Sequence, residues 1–155
     1  MGQRGQVPHR ERRAAVSAPS RVMVNWLAER KFEAGREGKP SIILDGDGIE
    51  APTPPDGLLA SLASCISVDV VDILAKRRTP VENYTVEVLG ERVDSIPRRF
   101  KHITLNIAIT GAGIERGPAE HAIDLAVNKY CSVKDSLSPD IPVVWSLSLN
   151  AEPAP

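Results

Sequence analysis

The alternation of apolar and polar positions changes period several times along the chain, and each change marks an element. Arg21 to Ala34 and Pro40 to Asp45 predict two strands joined at Gly35-Arg36-Glu37-Gly38, a turn whose two glycines take positive φ at little cost. A Pro- and Gly-rich link, Gly46 to Pro55, leads into a helix that begins near Asp56, because Thr53 or Asp56 can cap it and prolines fit only a first turn. Its apolar run carries it to about Arg78. Tyr84, Val86 and Val88 then alternate with Thr85 and Glu87, and Ile103, Leu105, Ile107 and Ile109 alternate with Thr104, Asn106, Ala108 and Thr110, the pattern of half-buried strands. Pro118 opens a second helix bearing Ala122, Ile123, Ala126 and Val127, with a broken extension, and Val143, Trp145, Leu147 and Leu149 form a last strand. This order predicts an α+β protein, its helices laid against one antiparallel sheet of five strands.

Leu58, Leu59, Leu62, Ala63, Ile66, Val68, Val70, Val71, Ile73 and Leu74 point to nearly every side of the long helix. A helix apolar all round has to be covered all round. One sheet covers one side, so a second copy of the same helix is expected on the other, which predicts a two-fold homodimer; the alternative is that the second helix and the chain's own loops complete the cover. Ser61, Cys65, Asp69, Asp72 and Lys76 follow one another at steps of four, four, three and four, and so share one stripe of the helix.

Composition narrows the function classes. The chain has 155 residues, 42% of them apolar and 25% charged, with a formal net charge of -1, which suits a single globular domain and gives no excess of positive charge for a phosphate backbone. Nucleic acid is therefore not an expected partner. No uninterrupted apolar stretch approaches the roughly 18 residues of a membrane span, and no apolar signal core opens the chain, so neither a membrane nor export is expected and the compartment expected is the cytosol. Residues 1–20, with Arg4, His9, Arg10, Arg12 and Arg13 among Gly, Gln, Pro and Ser, suggest a mobile basic arm, residues 21–150 the domain, and residues 151–155 a free tail.

Two cysteines, Cys65 in the long helix and Cys131 in Lys129-Tyr130-Cys131-Ser132-Val133, are the residues best suited to chemistry. They are too far apart for a local CxxC motif, so any partnership between them has to be made by the fold. Both can equally be small buried hydrophobes. A reactive Cys65 needs a nearby cation, because Asp69 one turn away opposes its thiolate; Arg30, Arg36, Arg98 and Arg99 are the candidates, and periodicity does not choose among them. The spacing of His9, His102, His121 and the cysteines supports no metal site, and no Gly-x-Ser-x-Gly elbow is present. Gly111-Ala112-Gly113 lacks the Lys of a phosphate loop and is explained as a turn.

The block Thr53-Pro54-Pro55-Asp56-Gly57-Leu58-Leu59-Ala60-Ser61-Leu62-Ala63-Ser64-Cys65, continued by Val68-Asp69-Val70-Val71, and the later Ala126-Val127-Asn128-Lys129-Tyr130-Cys131-Ser132-Val133 resemble the family of osmotically inducible protein C and organic hydroperoxide resistance protein (OsmC/Ohr). The resemblance spans about residues 21 to 150 and lies closer to a less characterised branch with a Cys-x-x-x-Asp-Val-Val run than to the well-studied peroxidases. It implies an OsmC-like α+β fold, an intertwined homodimer with the Cys-bearing helices at its centre, and a thiol-dependent peroxidase acting on organic hydroperoxides. It also implies roles: Cys65 peroxidatic, Cys131 resolving, Arg36 the stabiliser of thiolate and peroxide, and Asp56 the acid that orients that Arg. A lipoyl-type dithiol is the implied reductant, with no bound cofactor and no metal. Leu58, Leu62, Phe100 and Ile103 are candidate apolar walls for the substrate or, equally, core. The alternative function is a non-catalytic dimer of the same fold that binds a small apolar molecule or senses oxidant.

Overall fold

The computed structural model describes residues 18–150; the expected tail and all but the last three residues of the expected arm lie outside them. The chain divides into two compact units, residues 1–43 and residues 44–155. In the first, β1 (Met23–Ala28) pairs antiparallel with β2 (Lys31–Gly35), and a three-stranded sheet in the order β1-β2-β3 is completed by β3 (Ile42–Asp45), which crosses the boundary between the units. The stretch expected as one strand from Arg21 to Ala34 is thus a hairpin. It breaks at Glu29, which takes a φ of 49° and whose carbonyl accepts the Trp26 indole N–H at 3.0 Å. A turn made without Gly, Pro or Asn leaves no punctuation in the sequence. Gly38, at φ 69°, makes the expected turn between β2 and β3.

The second unit begins at the end of β3, where Asp45 is 4% exposed. Its carboxylate accepts the backbone N–H groups of Asp47 at 2.9 Å, Ile49 at 3.1 Å and Glu50 at 3.0 Å, folding the link into a tight loop. That loop delivers the chain to α1 (Pro54–Lys76), which starts with a capping box: the Thr53 hydroxyl accepts the Asp56 N–H at 3.3 Å, and the Asp56 carboxylate accepts the Thr53 N–H at 2.9 Å. Pro54 and Pro55 fill the first helical positions, where their missing N–H groups have no partner to lose. By length and composition α1 is apolar enough to cross a membrane, with a mean hydropathy of 2.0 over 18 residues. Leu59, Leu62, Ile66, Val70 and Leu74, three or four residues apart, nonetheless form one seam buried in the core.

The rest of that core comes from a second three-stranded sheet, β4 (Asn83–Arg92), β5 (Phe100–Thr110) and β6 (Val143–Leu149), with β5 in the centre. Ile103, Leu105, Ile107 and Ile109 of β5 turn to the α1 side and are buried. On the other face the Asn106 amide bridges the strands, donating to Glu87 on β4 at 2.9 Å and accepting from the Ser146 hydroxyl on β6 at 3.0 Å. The five expected strands are therefore six, in two sheets, and the second sheet is mixed rather than antiparallel throughout: β5 pairs antiparallel with β4 but parallel with β6. A parallel pair needs a crossover, and the helical segment between Thr110 and Val143 supplies it.

The turn after β5 shows why a glycine stands at Gly111. A Cβ there would lie 2.7 Å from the Pro80 carbonyl oxygen and 2.5 Å from Ile114 Cδ1, and the backbone oxygen has no rotamer to change. Gly111→Ala is expected to destabilise the fold by about 1–3 kcal/mol, read as a lower urea midpoint, although alanine is ordinarily the stabilising exchange.

Candidate active site

Three consecutive segments carry the chain past α1: α2 (Arg116–Leu125), a single π-helical turn (Ala126–Tyr130), and the short α3 (Ser132–Asp135). Ala119, Ala122, Ile123, Ala126 and Val127 are buried, and the whole run packs along α1. In the π turn the Cys131 N–H donates to the Ala126 carbonyl, five residues back, at 3.0 Å. One extra residue per turn changes the direction of the backbone at this point. Cys131 leaves the helix in extended conformation and caps α3, its sulfur accepting the Lys134 N–H at 3.3 Å.

This turn brings the two cysteines together. Cys65 lies on the stripe of α1 that meets α3, half-buried, and Cys131 is 4% exposed; both are free thiols. Their ionisation is pulled in opposite directions. Burial pushes the Cys65 thiol up, but the backbone N–H groups of Val133 and Ser132, the Cys131 thiol and the Ser132 hydroxyl all donate to its sulfur and together hold it below the ordinary value. Burial pushes the Cys131 thiol up as well; the Lys134 N–H opposes this, but the neighbouring Cys65 sulfur makes Cys131 keep its proton, so it stays above the ordinary value. The two thiols thus differ in ionisation because their surroundings are unequal.

Within this unit the Cys65 thiol is held low by backbone and side-chain donors. The groups that lower Cys65 are the first N–H groups of α3 and the two hydroxyl and thiol donors beside them; Asp69 is not among the groups that move it. Sequence reasoning missed Ser132 and Val133, and the only signal available was a polar residue after Cys131 at the end of an apolar helix. Arg36 is exposed on the turn between β2 and β3, in the first unit. Arg30 follows Glu29 in the β1–β2 turn, Arg99 pairs with Asp140 at 3.0 Å, and the Arg98 carbonyl accepts the Arg92 Nε–H at 2.6 Å.

Asp56 is engaged at the start of α1. Hydrogen bonds from the Thr53 hydroxyl and backbone N–H hold its carboxyl below the usual range, against a small opposing effect of burial and with help from Arg92. A carboxyl depressed in the folded state stabilises the protein above its unfolded value, and this stabilisation is lost as the pH falls through the folded one. Of the candidate substrate walls, Leu62 and Ile103 are wholly enclosed and Phe100 nearly so, which makes them core; Leu58 keeps an exposed surface. Beside α3 lies a cavity of about 610 Å³, lined by Lys129, Tyr130, Cys131, Ser132 and Lys134 among others. Among the described residues no three His, Cys, Asp or Glu side chains are grouped to hold a metal ion.

The sequence matches the family described as OsmC-like protein over residues 45–146, a stretch that contains α1, both cysteines and nearly all of the second sheet. The chain belongs to the OsmC-like family. Within it, this OsmC-like protein is 33% identical over 129 residues to protein YhfA of Escherichia coli strain K12, an alignment that covers 83% of this chain and 96% of that one. A hypothetical protein of Aquifex aeolicus VF5 has the same fold at 24% identity and a TM-score of 0.73, covering 86% of this chain and 98% of its own. The organic hydroperoxide resistance protein OhrB of Bacillus subtilis aligns at 13% identity with a TM-score of 0.57, covering 84% and 98%, and shares the fold alone.

Proposed function

We propose that this OsmC-like protein is a thiol-dependent peroxidase that reduces organic hydroperoxides to alcohols. The observation that carries this reading is the placement of two free thiols together, Cys65 on α1 and Cys131 at the start of the α3 that packs on it, with Cys65 held low and Cys131 held high. The Cys65 thiolate attacks the outer peroxide oxygen and the O–O bond breaks. The alkoxide takes up a proton and leaves as the alcohol, and the sulfur becomes a sulfenic acid. Cys131 then attacks that sulfur; its proton and the sulfenic hydroxyl leave as water, and a Cys65–Cys131 disulfide forms. A dithiol of the lipoyl type returns the pair to two thiols and is itself oxidised to a cyclic disulfide. The membership of an organic hydroperoxide resistance protein in the same fold agrees with this chemistry.

The resemblance supports an Arg that polarises the peroxide, with Arg36 as its candidate, and Asp56 as the acid that orients such an Arg in addition to capping α1. The working form is a homodimer in the cytoplasm. Leu58, Val68 and Val71 on α1 remain exposed in the single chain, as do Val24, Trp26 and Ile42 of the first sheet, and apolar surface on this scale calls for a partner. Sedimentation equilibrium is expected to give twice the 16.8 kDa of the chain; a monomer at micromolar concentration would refute the dimer.

The reaction itself is tested by counting. Reduced protein treated with one equivalent of cumene hydroperoxide is expected to lose both thiols and gain one intramolecular disulfide, with one cumyl alcohol released per chain. Cys131→Ser is expected to consume one equivalent and stop at the sulfenic acid, which dimedone traps. Thiols that survive the peroxide unchanged would remove the proposal.

A further inference from the structure

We propose that Cys65 and Cys131 together form a two-coordinate site for a thiophilic monovalent cation, copper(I), held between their sulfurs. The inference goes beyond the peroxidase reading and does not need it, since it uses only the meeting of the two thiols. Cys65 on α1 packs against the core cluster to which Cys131 belongs, and the Cys131 thiol donates to the Cys65 sulfur. Two sulfurs that share a proton are placed to share a soft cation instead. Thiolates select copper(I), zinc and iron–sulfur clusters, and the number of ligands divides these. Zinc and the clusters take three or four protein ligands, whereas among the described residues no three His, Cys, Asp or Glu side chains are grouped to hold a metal. Copper(I), with its filled d shell, is satisfied by two thiolates.

The surroundings suit such a complex. Two thiolates and one cuprous ion carry a single net negative charge. The Ser132 and Val133 N–H groups with the Ser132 hydroxyl donate to the Cys65 sulfur, and the Lys134 N–H donates to the Cys131 sulfur at 3.3 Å, so each metal-bearing sulfur keeps a supporting donor. Exposure sets the order of entry. Cys65 is half-buried and Cys131 is 4% exposed, so copper passes from a carrier thiolate to Cys65 first, and Cys131 then displaces the carrier. Burial of Cys131 also keeps water from adding as a third ligand. The transfer balances: bonds from copper to the two protein sulfurs form, the bond from copper to the carrier breaks, each thiol that was protonated gives its proton to solvent, and copper stays cuprous.

The test titrates reduced full-length protein, without oxygen, against the coloured copper(I) complex of bicinchoninate. The protein is expected to withdraw one copper per chain, less readily as the pH is lowered, because both thiols have to lose their protons. X-ray absorption at the copper edge is expected to show a shell of two sulfurs and no nitrogen or oxygen. Cys65→Ser and Cys131→Ser are each expected to lose the withdrawal while keeping the circular dichroism spectrum, since a serine at 131 still caps α3. Peptide mapping of the unsubstituted protein gives an independent reading: one equivalent of copper is expected to protect both cysteine peptides from iodoacetamide. The inference is overturned if bicinchoninate keeps its copper, if either serine variant withdraws copper undiminished, if a third ligand appears, or if either cysteine is alkylated as fast as in the metal-free protein. No peroxide enters the experiment, so these outcomes leave the peroxidase reading standing, and thiols that bind copper but ignore peroxide refute that reading alone.

Discussion

Cys65→Ser is expected to reduce hydroperoxide turnover to the background of protein-free buffer. A serine hydroxyl at this position receives the same donors from α3, yet its proton is too tightly held for those hydrogen bonds to ionise it near neutral pH, and attack on peroxide oxygen needs the anion. The substitution exchanges sulfur for oxygen at a half-buried position beside the core seam, so the fold is expected to persist with a stability change within about 1 kcal/mol. Loss of activity with an unchanged urea midpoint therefore assigns the effect to chemistry. The companion measurement is the rate of Cys65 alkylation by iodoacetamide against pH in Cys131→Ser protein. Because the surrounding donors hold the thiol below its ordinary value, the rate is expected to rise to its plateau at a lower pH than that of free cysteine. Undiminished turnover in Cys65→Ser, or a midpoint above that of free cysteine, would end the assignment of Cys65 as nucleophile.

Leu62→Ala is expected to cost about 2–5 kcal/mol, a large share of the 5–15 kcal/mol that typically holds a domain together. Leu62 is 0% exposed and lies in the middle of the α1 seam, three residues before Cys65, facing a core shared with β5 and α2. Removing its branched end deletes apolar contacts and leaves a void that well-packed neighbours cannot fully close. The measurement is the urea midpoint with an unchanged m value. A loss below about 1 kcal/mol would mean that the α1 seam is not the core of this unit. Val68→Ala offers the contrast. Val68 is 61% exposed in the single chain, and its truncation is expected to leave intrachain stability nearly unchanged while weakening any association that covers this face.

The elements that were legible in the sequence are those whose residues answer to their immediate neighbours. Thr53, Pro54, Pro55 and Asp56 specify the start of α1 because a capping box and two first-turn prolines are satisfied within four consecutive residues. The alternation through β4, β5 and β6 was equally readable, since a half-buried strand repeats every two residues wherever the sheet lies. The break at Glu29 was not, because the turn uses no residue that marks it. The π turn over Ala126–Tyr130 was visible only as a weakening of the helical pattern, for it adds one residue to a turn without changing the residue types inside.

The candidate site divides along the same line. Its sulfurs, its resemblance to a peroxidase family and the apolar helix that bears Cys65 were in the linear order of residues. Which partners set the ionisation of Cys65 was decided in three dimensions. Side chains distant along the polypeptide meet only after α2 and its π turn have packed along α1, and the donors that favour the thiolate include backbone N–H groups, which every residue but proline possesses and no sequence pattern advertises. Sequence alone thus determined which atoms could react, because reactivity resides in residue type. Tertiary structure alone decided which of two identical thiols holds its proton less tightly, because that depends on the local count of donors and the depth of burial.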